Sequence, residues 1–330
     1  KKDIEYNKIN TVYGLFYRLL IFSKNYKKKI PIISCDNLDS NSLNFKKNLK
    51  VFIKKKDRKL LKLIDKNFIF LNSMVDRITP KQNLKASQRK KNNLDFIIEA
   101  EEYCNWIIET KRKYLIPGYK LNGIKFVKKI KDYQYMKLMM LNASHCSTSF
   151  LASLNNNKYV NDTFNNKKFI LFIEKYLNTD VIPYLKKNFY NYKNFKNEIL
   201  SRFSNKFLKD ETSRTVENGS TNLSIFIRPS LINCLNRRKS LKRFSLIYAS
   251  WFVFILKNKS NNWLKLNDAN KKIIIKLTKT QKKSVNFFKY SKLLNLSFIT
   301  KNNQFIKDLN HYINLLKNNK INEALRHASE

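Results

Sequence analysis

The chain has 330 residues, 43% of them hydrophobic and including 24 Phe and 17 Tyr, which is apolar content enough for one large domain or two ordinary ones and too much for a disordered tail. Its 67 Lys and Arg against 24 Asp and Glu leave a net charge of +43, read directly as attraction to phosphates or acidic surfaces. Lys and Asn are spread over every segment, with only 4 Gly and 5 Pro, a pattern that drift towards A- and T-rich codons explains without any partner. The four cysteines, Cys35, Cys104, Cys146 and Cys234, form no CxxC pair and no cluster with metal-ligand spacing, which argues against a zinc site or a disulfide framework.

In chain order, "KKIPIISCDNL" (28–38) and "NFIFLNSMVDRITP" (67–80) read as buried strands whose ends open into polar loops. Residues 43–66 carry apolar side chains at helical intervals between them. Strand, helix and strand predict a βαβ unit, and in open parallel sheets ligands gather at the carboxyl ends of the strands. Asp36, Asn37, Asn72 and Asp76 therefore belong near a cleft. A helix is expected from Leu94 to Thr110, closed by the turn "IPGYKLNG" (116–123).

From about residue 131 onwards only helix-length apolar patterns follow, at 134–154, 165–178, 194–208, 223–236, 240–257, 282–295 and 303–319. The fold class expected is α/β plus all-α: a partial Rossmann-like dinucleotide-binding domain over 1–125, then a mainly helical domain over 126–330. No GxGxxG or GxxxxGK[ST] loop occurs. The longest apolar run, Phe244 to Leu256, is shorter than the roughly 18 to 20 residues a bilayer crossing needs, and no signal-peptide layout is present. A soluble cytoplasmic protein with no membrane partner is expected.

One polar group stands out. "MKLMMLNASHCSTSF" (136–150) places Lys137, Asn142 and His145 inside an apolar stretch of a chain with three histidines. On a regular helix the three fall within an arc of about 140°, with His145 between the others. They serve one pocket, or else Lys137 extends to solvent and His145 is a hydrogen-bonded core residue.

The segments "SCDNL" (34–38), "NSMVDRITP" (72–80) and "MKLMMLNASH" (136–145) resemble three successive signatures of the polyol-specific long-chain dehydrogenases, the family of mannitol 2-dehydrogenase, fructuronate reductase and arabinitol dehydrogenase. "TVYGLFYRLL" (11–20), "EEYCNWIIE" (101–109), "RFSNKFLKD" (202–210) and "ASWFVFIL" (249–256) are similar to family segments in the same order. The resemblance implies an NAD- or NADP-dependent, metal-independent hydride transfer between a polyol and a ketose, mannitol and fructose foremost, or a hexuronate such as fructuronate. It implies Lys137 as general acid and base, which near neutral pH requires burial or a neighbouring charge. Asn37 and Asn142 would donate to the alkoxide-like oxygen. His145 would orient substrate, Arg214, Asp76 and Arg77 would bind it, and Asp36 and Asn37 would contact the cofactor.

The sequence departs from the family pattern in places. Gln134 stands where a Glu precedes the lysine, Asn222 in "ENGSTNLS" replaces a lysine, Ser42 replaces a glycine, and Glu101, Glu102 and Tyr103 replace an "EPF". The family's dinucleotide fingerprint lies upstream of the matched segments, so the expectation is a chain truncated at its N-terminus. Two alternatives remain open here: a decayed pseudoenzyme, and a basic, ribosome-associated nucleic-acid binder, against which the even spread of basic residues speaks. Nucleic acid is accordingly not an expected partner, and a monomer or weak oligomer is.

Overall fold

The computed structural model describes residues 11–80, 98–111, 123–260, 266–281, 283–291 and 293–330. The chain divides into two compact units, Lys1–Arg77 with Glu102–Gln134, and Ile78–Glu101 with Tyr135–Glu330.

The first unit opens with α1 (Val12–Phe22), whose first turn is capped by the Thr11 hydroxyl accepting from the Gly14 amide. β1 (Ile30–Ile33), α2 (Asn41–Lys56), α3 (Leu61–Asn67) and β2 (Phe68–Leu71) follow. β1 and β2 pair in parallel, Ile30 opposite Phe68 through Ile33 opposite Leu71, which is the expected βαβ unit. Leu20, Leu49, Ile53, Ile64 and Phe68 are buried between helices and strands, and Tyr13, Phe16, Phe45 and Phe52 ring that core with stacked and edge contacts.

The segment 67–80 is not one strand. Its second half, β3 (Ser73–Asp76), leaves the first sheet at Asn72 and joins β4 (Asn105–Glu109) and β5 (Ile124–Val127) in a second sheet of order β3-β4-β5. β3 runs antiparallel to β4, and β4 parallel to β5. The switch is held by side chains: Asn41 Oδ1 accepts from the Ser73 amide at 3.0 Å, and Asn72 Nδ2 donates to Glu109 at 3.0 Å.

β4 also corrects the helix expected over 94–110, of which residues 94–97 lie outside the described residues. β4 is the central strand of its sheet, and Ile107 and Ile108 are both fully buried, one on each face. A strand buried on both faces shows no alternation, so its apolar run is indistinguishable from a helical stripe by period alone. Most of the "IPGYKLNG" turn also lies outside the described residues.

α4 (Lys131–Lys137) carries the chain into the second unit. There follow a π-helical turn (Leu138–Asn142), α5 (Ala143–Leu154), α6 (Val160–Phe164), α7 (Lys167–Lys175), α8 (Tyr192–Phe203), and the short α9 (Thr212–Thr215) and α10 (Gly219–Asn222). α11 (Arg228–Asn236), α12 (Lys242–Ser260), α13 (Lys271–Thr280), α14 (Ser284–Tyr290), α15 (Asn303–Lys317) and α16 (Ile321–Ser329) complete it.

α12 is the axis of this unit. Its residues 244–255 are buried on every side, and it packs against α5, α15 and α16, as a helix apolar all round must. Among the described residues no helix is long and apolar enough to cross a membrane. Asp180 is buried, and its carboxylate takes Arg243 Nε at 2.5 Å and Nη2 at 2.9 Å, so the N-terminus of α12 is anchored by a compensated charge. α13 and α16 were not among the expected helices; α13 sets its apolar residues among lysines and threonines, and α16 is only nine residues long with polar and charged side chains between its apolar ones.

Candidate active site

The expected site residues fall on both units. On the first, β1 ends in the loop Ser34–Leu38, where Asp36 and Asn37 are exposed. This loop has almost no regular backbone pairing, so side chains hold it. The buried Asn41 places its Nδ2 within 2.8 to 2.9 Å of the carbonyls of Ser34, Asp36 and Ser73. Ser42 Oγ donates to Leu71 O at 2.6 Å and accepts from the Ser34 amide at 2.8 Å, while Ser73 Oγ donates to Ser34 O at 2.6 Å. Asn41, Ser42 and Ser73 thus lock the carboxyl end of β1 to the strand switch. Nothing in the sequence marked Asn41 for this role except its place at the start of α2. Ser42, a departure from the family glycine, is fully buried and serves both strands.

Asp76 closes β3 and is buried at 3% exposure, whereas Arg77 after it is exposed. The Cys35 thiol is pushed up by burial first and by the Asp36 carboxylate second, so it stays protonated near neutrality.

On the second unit, the regular 134–154 helix of the sequence reading is interrupted by the π-turn at 138–142. A π-turn adds a residue to the local ring, so a constant 100° step no longer relates Lys137 to Asn142 and His145. Such turns inside α-helices often mark functional positions. Lys137, last residue of α4, is buried at 7% exposure, whereas Asn142 and His145 are partly exposed. Among the described residues no side-chain hydrogen bond reaches the Asn142 amide or the His145 ring.

His145 instead packs its ring on Phe203, centroids 4.0 Å apart. Burial lowers its pKa to about 4; the Asp210 carboxylate opposes the shift, and Arg214 and Arg202 add to it. At neutral pH the ring is therefore an uncharged imidazole, able to donate from one nitrogen and accept at the other.

Two ion pairs stand around this ring. Arg214 gives Nε and Nη2 to the two oxygens of Asp210 at 2.7 and 2.6 Å, with Asp210 2% exposed and the Arg214 side chain 47% exposed. No described residue takes its Nη1. Asp210 is fixed in turn by its backbone, whose carbonyl accepts from the Val160 amide at 2.9 Å beside the bridge between Tyr159 and Glu211. Arg202, at the end of α8, gives Nε and Nη2 to Glu101 at 2.9 and 2.7 Å, with both side chains buried. Glu101 also accepts from the Ile78 amide at 2.5 Å. Asp210, Glu101 and Arg202 were not singled out as site residues; a guanidinium and a carboxylate 4 or 101 positions apart in a Lys-rich chain give no signal until the fold pairs them.

Asn222, where the family pattern has a lysine, spends its amide on Glu217 O at 2.9 Å. Among the described residues no three His, Cys, Asp or Glu side chains gather in a way that would hold a metal ion.

Comparison with known proteins agrees with this architecture. Residues 6–118 match the mannitol dehydrogenase Rossmann domain and residues 129–327 the mannitol dehydrogenase C-terminal domain. The chain is 31% identical to polyol:NADP oxidoreductase of Gluconobacter oxydans (strain 621H) over 69% of its own length and 48% of that protein's. It is 29% identical to mannitol dehydrogenase 2 of Saccharomyces cerevisiae over 75% of this chain and 51% of that one.

The solved structure of Pseudomonas fluorescens mannitol 2-dehydrogenase, a ternary complex with NAD and D-mannitol, superposes with a TM-score of 0.74 at 22% identity. The superposition covers 96% of this chain and 66% of that one. The chain spans about half the length of the curated relatives it matches. With both family domains matched in order, the second alone over more than half of the sequence, the chain belongs to the mannitol dehydrogenase family.

Proposed function

We propose that the chain is the catalytic part of an NAD(P)-dependent oxidoreductase that interconverts a polyol and a ketose, with mannitol and fructose as the first pair to test. The observation that carries this reading is His145 on the second unit, a neutral imidazole packed on Phe203 with the Arg214 and Arg202 ion pairs around it, eight residues after the buried Lys137 in a chain of this family. We assign residues 1–125 to a Rossmann-like dinucleotide domain and 126–330 to the substrate domain.

The nicotinamide cofactor, when bound, accepts or returns the hydride. The βαβ unit and the rigid, exposed Asp36 and Asn37 at the carboxyl end of β1 suit its nicotinamide and ribose end. No Gly-rich loop for its pyrophosphate occurs in this sequence. Lys137 Nζ takes the hydroxyl proton in polyol oxidation and returns it in ketose reduction, from a residue 7% exposed. The Asn142 amide donates to the oxygen on which negative charge grows, and Asn37 is assigned to the cofactor on the first unit.

His145 orients a substrate hydroxyl without carrying charge. Arg214 offers its Nη1 edge to further hydroxyls, and Asp76 and Arg77 are assigned to substrate binding on the first unit. The relatives' names support the substrate class: polyol:NADP oxidoreductase and mannitol dehydrogenase.

The test is NADH- and NADPH-linked fructose reduction and the reverse mannitol oxidation. Lys137→Ala should lower turnover by about 10²- to 10⁴-fold with a melting temperature close to that of the parent. A variant keeping most of its rate would overturn the assignment of the base.

A further inference from the structure

We propose that Asp210 and Glu101 set substrate class at this site: by cancelling the charges of Arg214 and Arg202 they surround His145 with neutral hydrogen-bond donors and select an uncharged polyol or ketose over its uronate. This deepens the functional reading above and rests on it.

The four groups sum to zero charge. Each guanidinium meets its carboxylate through two parallel N–H donors, the geometry in which an arginine is most fully compensated. Both carboxylates are 2% exposed and the Arg202 side chain 6%, whereas the Arg214 side chain is 47% exposed, so of the two pairs Glu101–Arg202 is the less screened by water. Glu217 is a further acid within electrostatic range of Arg214. Asn222 adds an amide and no charge.

An anionic substrate entering such a surround would lose its hydration and gain no uncompensated cation. A polyol asks only for donors and acceptors, which the Arg214 Nη1 edge, the Asn142 amide and the neutral His145 supply. A site for a carboxylate would leave one of these arginines unpaired, as bidentate recognition of the ligand requires. Lys137 changes its charge during turnover with either substrate.

The experiment is the ratio of kcat/KM for fructose and fructuronate, with NADH and with NADPH, in the parent chain and in Asp210→Asn, Arg214→Gln and the double variant. Where a variant is too slow, the ratio of dissociation constants for mannitol and mannonate replaces it. The parent should prefer fructose. Asp210→Asn unmasks a cation and should move the ratio towards fructuronate by about tenfold or more. Arg214→Gln unmasks an anion and should move it the other way. The double variant, again neutral, should return close to the parent ratio, and with Arg214→Gln it carries the test if Asp210→Asn does not fold.

A parent that prefers fructuronate, or single variants that move the ratio in the same direction or by less than about twofold, would overturn the proposal while leaving the oxidoreductase reading intact. No turnover of either sugar by the parent with either cofactor would overturn that reading, and the substrate assignment with it.

Discussion

His145 makes the acid stability of this protein predictable. Above pH 6.5 its imidazole is neutral in the folded and the unfolded chain and contributes no pH dependence. Below 6.5 the unfolded chain takes up a proton that the folded chain refuses until about pH 4, because burial against Phe203 penalises the cation. Stability therefore falls as pH falls through this window, by about 1.4 kcal/mol for each pH unit, and the loss levels off below about 4. The whole increment is about 3 kcal/mol, a sizeable fraction of the stability of an ordinary domain.

Two measurements read it. In a ¹H NMR titration one of the three histidine resonances should have its midpoint near 4 and should be missing from His145→Gln. In urea unfolding between pH 7 and pH 4, His145→Gln should lose less stability than the parent by about 3 kcal/mol, since glutamine fills much of the ring's place without titrating. A His145 resonance with a midpoint near 6.5, or equal acid dependence in parent and variant, would refute the burial argument.

Other expectations follow from the same geometry. Glu101→Gln removes the buried carboxylate that meets Arg202 through two N–H donors and should cost about 3 to 5 kcal/mol in chemical denaturation, most of it recovered by Glu101→Leu with Arg202→Met, which removes both charges. Asn41→Ala deprives the Ser34–Leu38 loop of its bonds to three carbonyls and should lower stability by about 1 to 3 kcal/mol while raising hydrogen exchange at Ser34 and Ser73. Gly219→Ala places a methyl 2.7 Å from Phe150 Cζ and 2.9 Å from Trp251 Nε1; both rings are fixed in the core, so the melting temperature should drop by the equivalent of about 1 to 3 kcal/mol.

How far the site was legible depended on how local its information was. "SCDNL", "NSMVDRITP" and "MKLMMLNASH" are each a short contiguous run, and the family to which they point is the family to which the chain belongs. The βαβ unit was equally local, because a parallel pair needs only two apolar runs and a helical period between them. β4 was misread for the opposite reason: it is buried on both faces, Ile107 in one cluster and Ile108 in another, and burial on both faces erases the alternation that identifies a half-exposed strand. The π-turn at 138–142 was invisible to a periodicity that assumes one step per residue.

By itself, then, the sequence determined the family and the order of an α/β region and a helical region, and it singled out Lys137, Asn142 and His145 as candidates. The tertiary structure alone decided the electrostatics around them. Glu101 and Arg202 are separated by 101 positions, and even Asp210 and Arg214 share a turn whose orientation depends on the Tyr159 to Glu211 bridge. Charge compensation falls off with distance and is governed by burial, and neither quantity exists until the chain has folded.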